Sequence, residues 1–209
     1  MDHPIVRLSA LTLKNIKNVK NGTVCMPSVS NVPSSFKADI LGIYGQNGSG
    51  KTAIVDALYF LQQIMIGSDL DSELVDYMDS ETDHAEITAE FIISREESFY
   101  EVGYHIQFMK MDSRVCIDRE FLNCAITQNG IRSNKNIFMD YQHSKPDCIF
   151  KPQKRLNELV AQDKNLLMDL IVARRIAEKS NCSYIFGESS RDIFCRSYDS
   201  PFENYSFVI

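Results

Sequence analysis

The 209-residue chain has no tryptophan, few glycines and prolines, and no apolar run long enough to cross a bilayer. A spanning helix needs about 20 consecutive apolar residues, and the most apolar segment, "LLMDLIVA", is broken by Asp169. No membrane partner is expected. The six cysteines (Cys25, Cys116, Cys124, Cys148, Cys182, Cys195) include no C-x-x-C pair, and His3, His84, His105 and His143 stand apart from them. Zinc sites are built on close ligand pairs, so none is expected. No secretory leader is visible at the start, which points to the reducing cytoplasm and free thiols. A basic excess is also missing. The net charge of −6 argues against a surface coated for nucleic acid.

What is there is ordinary globular composition, 44% hydrophobic and 24% charged, in a chain long enough to bury a core. The charge is uneven. Residues 1–37 carry five Lys/Arg against Asp2 alone, whereas residues 69–101 carry twelve Asp/Glu against Arg95. An anionic partner would prefer the N-terminal face; a solvated acidic insertion beside a scattered basic edge is the plainer alternative.

Periodicity supplies the elements. In residues 5–19, Val6 and Leu8, then Leu11 and Leu13, recur every second position, a strand with one change of phase at a bulge. The Asn21-Gly22 pair predicts a hairpin between strands one and two. Residues 28–37 are rich in Ser and Pro and read as a loop. A buried strand, "DILGIYG" (39–45), leads into a glycine loop and a helix from Lys51 to Ile66 with Ile54, Ala57, Leu58, Leu61 and Met65 on one face. "SDLDSELVDYMD" predicts an acidic helix capped by Ser68.

The middle third changes period. "AEITAEFIIS", "SFYEVGYHIQFMK" and "SRVCIDREFLNCAIT" predict three antiparallel strands, with Phe91, Phe99, Tyr100, Tyr104 and Phe108 in the core or on the sheet. Asn129-Gly130 signals a further turn. Asp118-Arg119-Glu120 reads as a solvated strand end, with an ion-pair cluster or a contact to another subunit as the alternative, and His143 reads as a loop histidine. Helical spacing returns from Lys154 to Ser180, with Leu156, Leu159, Val160, Leu167, Leu170, Ile171 and Ile176 as expected core positions. The strand-like ending "SPFENYSFVI" hints at a truncated domain.

Gly45-Gln46-Asn47-Gly48-Ser49-Gly50-Lys51-Thr52 fits G-x-x-x-x-G-K-[ST] in full. Glycines let successive backbone N–H groups turn inward onto phosphate oxygens. The following helix offers its N-terminal N–H groups and positive dipole end to the same anion. Lys51 would reach the β- and γ-phosphates, and the Thr52 hydroxyl would complete a Mg²⁺ shell.

"LTLKNIKNV" followed by "GIYGQNGSGKTAIVDAL" resembles the opening of the SMC/RecF/OLD-like ABC-type ATPases, with Asp56, Ala57 and Leu58 matching and Ile16 where that family prefers an aromatic. The strands ending in "CIDREFLN" resemble the β-lobe of AAA-type ATPases of the abortive-infection and OLD-related group. The resemblance implies an α/β fold, a P-loop NTPase (ABC/RecF-like) lobe with an antiparallel β-rich subdomain and C-terminal helices. It implies one incomplete ATPase head: a P-loop core (1–67), an acidic helix and antiparallel strands (68–150), and a helical segment with a strand-like tail (151–209). It implies ATP and Mg²⁺ as cofactors, the base and ribose near Asn15 to Lys17, and Gln142 as the Q-loop glutamine that links Mg²⁺ to a moving lobe. A homodimer or a complementary ATPase half is the implied partner, with DNA or an effector domain as further ones, in phage defence or DNA maintenance.

Hydrolysis needs an apolar strand ending in Asp and Glu. "FIISREE", "SYIFGESS" with Glu188, and "LLMDL" do not fit that pattern, and Glu188 reads as a surface acid. No signature motif or switch histidine is visible. The expected function is therefore ATP binding, with hydrolysis completed by a second half or a partner. A non-hydrolysing nucleotide-dependent switch module is the alternative. A small-molecule P-loop kinase is a third, opposed by the two leading strands and the missing lid arginines. No N-K-x-D motif is present, which favours ATP over GTP.

Overall fold

Alternating inward and outward residues dominate the chain, and they build one large antiparallel sheet. The computed structural model describes residues 5–27, 40–70, 74–95, 98–112, 114–145, 157, 160–161 and 163–196. Its strands are β1 (Ile5–Ile16), β2 (Val19–Cys25), β3 (His84–Arg95), β4 (Ser98–Met111), β5 (Arg114–Gln128), β6 (Ile131–Arg132) and β7 (Asn136–Gln142). Its helices are α1 (Lys51–Met65), α2 (Leu74–Tyr77), α3 (Leu166–Ser180) and α4 (Glu188–Arg196). The strand order is β2-β1-β3-β4-β5-β6, with β7 also on β5, and every pairing is antiparallel. The molecule is thus mixed α/β with a β-rich body.

β3, β4 and β5 form the expected meander. In β4, Tyr100, Val102, Tyr104, Ile106 and Phe108 all point inward, the period-two pattern in full. Burying each such large side chain contributes about 1.5–3 kcal/mol. Asn129 and Gly130, both at positive φ, make the two-residue turn from Gln128 to Ile131. The phase change expected in β1 is a bulge between Leu8 and Ala10, after which Leu11 and Leu13 are buried.

The first hairpin turns elsewhere than expected. Asn21 and Gly22 lie inside β2, paired with Lys14 and Leu13, and the turn is Lys17-Asn18 between Ile16 and Val19. Tertiary contacts override the Asn-Gly signal: Ile16 is fully buried, and Lys17 and Asn18 bond to other elements.

Residues 40–46 are not the expected buried strand. They have no regular structure, and Tyr44 is 94% exposed. A parallel strand needs neighbours for its backbone groups, and no strand pairs with this segment among the described residues.

α1 has the expected extent, but its buried face is Ala53, Ala57, Phe60, Leu61 and Ile64, with Ile54, Leu58 and Met65 only partly buried. The acidic helix is shorter than expected. Asp69 and Leu70 are not helical, so Ser68 caps nothing; its amide instead donates to Gln63 at the end of α1. α3 also turns a different face inward. Leu170, Ala173 and Ala177 are buried, whereas Leu167, Ile171 and Ile176 are exposed, because small side chains let the helix approach closely. After α3, the buried segment Ser183–Phe186 reaches the sheet, where Phe186 meets Tyr104 edge to face at 4.9 Å. The expected loop at 28–37, Leu156, Leu159 and the strand-like tail lie outside the described residues.

The basic N-terminal face is already occupied. Lys14 pairs with Glu86, Lys17 with Asp56, and Lys20 with Asp79 and Glu81. The Lys14 and Lys20 pairs draw on the acidic stretch, so part of the charge asymmetry of the sequence is offset in space.

Candidate nucleotide site

The residues from Gly45 to Thr52 form the approach to α1. The Ser49 amide donates to the Gln46 carbonyl at 3.2 Å, and Gly48 and Gly50 take left-handed φ values of 82° and 87°. At Gly50 a Cβ would lie 2.6 Å from Val19 Cγ2, so only glycine fits between the loop and β2. α1 starts at Lys51 with no side-chain cap and no acid in its first turn. Its leading N–H groups and positive dipole end therefore suit an anion.

Lys51 lies over this loop. Its Nζ donates to the Gly45 and Gln46 carbonyls, both at 2.7 Å, and to Ser49 Oγ at 3.3 Å. Thr52 is exposed beside it.

The β1–β2 turn braces the loop. Asn18 Nδ2 donates to the Gly48 carbonyl. The Lys17 amide donates to the Tyr77 carbonyl at 2.6 Å, while its ammonium pairs with Asp56 on α1 and lies 4.4 Å from the Tyr77 ring centroid. Asn15 Nδ2 donates to the His84 carbonyl at 3.0 Å. The side chains of Asn15 and Lys17 are thus engaged with the protein itself.

Gln142 is placed elsewhere. Its amide donates to Asp140 Oδ2 at 3.1 Å, and Asp140 also takes Arg119 Nε at 2.9 Å. Register puts Lys14, Glu86, Gln107, Arg119 and Gln142 in one row across the sheet. Gln142 is four strands from β1, about 19 Å at the usual spacing, and the structure does not bring it to Thr52. Glu188 is the exposed first residue of α4. His143 Nδ1 stands 3.9 Å from Glu178 Oε1. Among the described residues, no group of three or more His, Cys, Asp or Glu could hold a metal ion.

Glu120 corrects the expectation of a solvated strand end. It is completely buried in mid-β5, accepting from Tyr104 Oη at 2.8 Å, Ser183 Oγ at 2.9 Å and the Ile185 amide at 2.6 Å. The cause is a bulge: Gln107 pairs with Arg119 but Phe108 with Ile117, leaving Asp118 extra. The inward phase moves from Val115 and Ile117 to Glu120, Leu122 and Cys124. Burial raises the Glu120 carboxyl above its ordinary pKa, and burial likewise pushes the Tyr104 phenol well up. No alternation rule exposes such a bulge; the only trace in the sequence is the unbroken polar triplet.

Residues 40–158 match the family model described as "AAA domain, putative AbiEii toxin, Type IV TA system", a span of more than half the chain that contains the phosphate loop. The chain belongs to this AAA family. It is also 41% identical over 54 residues to the DNA replication and repair protein RecF of Deinococcus radiodurans, covering 26% of this chain and 12% of that protein. The RecF alignment thus spans a small part of its relative. Together they identify a region of an AAA/ABC-type P-loop ATPase. ATPases of this AAA kind use nucleotide, ordinarily with Mg²⁺. No helix among the described residues is long and apolar enough to cross a membrane.

Proposed function

We propose that this AAA-family chain binds ATP·Mg²⁺ at residues 45–52 as the nucleotide-binding lobe of an ABC/RecF-like ATPase head. One observation carries the reading: an α1 N-terminus uncapped by side chains follows two left-handed glycines, with the Lys51 ammonium beside it. Gly45, Gln46, Asn47, Gly48, Ser49 and Gly50 supply the backbone cradle. Lys51 exchanges its carbonyl partners for phosphate oxygens, and Thr52 contributes its hydroxyl to Mg²⁺. Mg²⁺ held there would supply neutralisation of the phosphate charge. Gln142 stays with Asp140 and takes no metal role.

Hydrolysis requires an acid that this loop does not hold. Asp56, on the second turn of α1, is committed to Lys17. A second half or a partner head, in a homodimer or with a complementary ATPase, supplies the missing acid. Residues 40–46, which pair with no strand among the described residues, support this, since an exposed apolar approach to the loop suits completion by further strands. The setting we propose is cytoplasmic, in phage defence or DNA maintenance, with DNA or an effector domain as the object of the cycle. The engagement of Asp56 also favours a second reading, a switch module that binds ATP without turning it over.

Thermal unfolding with and without ATP·Mg²⁺ tests the binding. At a ligand concentration of 100 times Kd, stabilisation of about 2.7 kcal/mol is expected, and no shift would remove the proposal. Turnover by the chain alone separates the catalytic readings. A rate near or above about 1 s⁻¹ would show a complete catalytic site.

A further inference from the structure

Asn18 is an exposed residue of the first hairpin turn, and its side chain reaches the phosphate loop. Its Nδ2 donates to the Gly48 carbonyl, and its Oδ1 lies 4.0 Å from where a Cβ on Gly50 would stand. One amide thus spans both left-handed glycines of the loop. The backbone that carries it is held from three sides. Ile16 is fully buried and bridges to Met78, the Lys17 amide donates to the Tyr77 carbonyl, and the Lys17 ammonium pairs with Asp56 on α1.

A trans peptide sets its C=O and its N–H on opposite sides. With the Gly48 carbonyl turned to Asn18, the Ser49 N–H of the same peptide faces away from the hairpin. It donates to the Gln46 carbonyl at 3.2 Å, and the Lys51 ammonium donates to that same oxygen at 2.7 Å. Two donors from different parts of the loop converge on one oxygen. That convergence marks where an anionic oxygen, a stronger acceptor than a carbonyl, would be taken. Packing does not hold the Gly48–Ser49 peptide in this orientation. A Cβ on Gly48 would meet nothing within 4 Å, and glycine rotates easily. The Asn18 bond restrains it.

We propose that Asn18 is a positioning residue for the phosphate chain: it holds the Gly48–Ser49 peptide so that the Ser49 N–H and the Lys51 ammonium take one phosphate oxygen together. The inference rests on the ATP·Mg²⁺ reading of residues 45–52 and deepens it by naming a residue outside the motif on which that site depends. Asn18 acts through the loop and touches no ligand itself. Ordering the two donors before the ligand arrives lowers the entropic cost of binding. Asn18 also neighbours Asn15 to Lys17, where base and ribose are expected, and the two roles separate by ligand. A positioning role acts on any chain of phosphates, whereas a base or ribose contact acts on a nucleotide alone.

Isothermal titration of the 209-residue chain with ATP·Mg²⁺, and separately with inorganic tripolyphosphate and Mg²⁺, is the test. The variants are Asn18→Ala and Asn18→Leu, the second filling much the same volume without a donor. Both should raise both Kd values about 2- to 10-fold, by the same factor for the two ligands. Their melting temperatures without ligand should stay within about 2 °C of wild type. A loss confined to ATP overturns the proposal, because Asn18 would then serve base or ribose. So does a wild type that takes ATP but not tripolyphosphate. Variants that melt well below wild type overturn it too, since the bond would then serve the hairpin and not the cradle. Wild-type binding that both variants retain removes this role alone; a wild type that binds neither ligand removes the ATP reading and this role with it.

Discussion

Lys51 Nζ donates to the carbonyl of Gly45 at 2.7 Å, closing the phosphate loop on its own cation. The Gln46 carbonyl takes a second bond of the same length. Two neutral carbonyls are weaker partners for an ammonium than a phosphate oxygen, because there both donor and acceptor are charged. Under the proposed function, a nucleotide would displace these bonds instead of filling a vacant cradle. The arrangement links three levels: a sequence motif, a left-handed loop that the motif's glycines permit, and a cation held close to its target.

Lys51→Ala should lower ATP affinity about 10- to 100-fold, the loss of a charge-assisted contact. Stability without nucleotide should change by no more than about 0.5 kcal/mol, as for most exposed substitutions. Isothermal titration measures the first and urea unfolding the second. Wild-type affinity in this variant would mean that the lysine is not a phosphate ligand.

The two loop glycines should behave differently. Both have positive φ, but a Cβ on Gly50 meets Val19 at 2.6 Å, whereas one on Gly48 meets nothing within 4 Å. Gly48→Ala should cost about 1 kcal/mol for backbone strain alone. Gly50→Ala should cost about 2–3 kcal/mol and also impair ATP binding, because the loop must move off β2. Equal losses for the two variants would show that the loop does not lean on Val19.

Lys17 and Asp56 invite a double-mutant cycle. Their side chains are 30% and 21% exposed, and the Tyr77 ring lies under the ammonium. Partial burial should make the coupling about 1 kcal/mol, above the usual surface pair. With Lys17→Met and Asp56→Asn, singly and together, denaturant unfolding should return that value. Additive effects would show the pair to be energetically idle.

The parts of the fold that followed local rules could be read from the chain alone. β3 and β4 alternate cleanly, and the loop from Gly45 to Thr52 combines a full motif with the residue types that a left-handed turn demands. What escaped was set by contacts distant in sequence. Asn21-Gly22 carries the stronger turn signal, yet Ile16 in the core and Asn18 on Gly48 place the turn at Lys17. Leu167, Ile171 and Ile176 have core-like side chains, but the close approach of α3 selects Ala173 and Ala177. Residues 40–46 have strand composition without strand partners among the described residues. Glu120 was hidden because one extra residue, Asp118, reverses which side chains point inward.

That buried carboxylate makes the sharpest prediction. Tyr104, Ser183 and the Ile185 amide all donate to Glu120, so Glu120→Ala orphans three donors in the core and should cost about 2–4 kcal/mol. Glu120→Gln keeps the shape and removes the titration. Because burial raises the folded carboxyl pKa, the folded chain takes up this proton at a higher pH than the unfolded chain does. Its contribution to stability is thus fully present below the unfolded value of about 4.3 and is lost as pH rises through the raised folded value. Between pH 7 and pH 5, wild type should therefore gain stability relative to Glu120→Gln, all other groups cancelling in the difference. Urea unfolding of both proteins at the two pH values reads this directly. A difference that moves the other way would mean that the three donors outweigh desolvation and hold Glu120 ionised in the core.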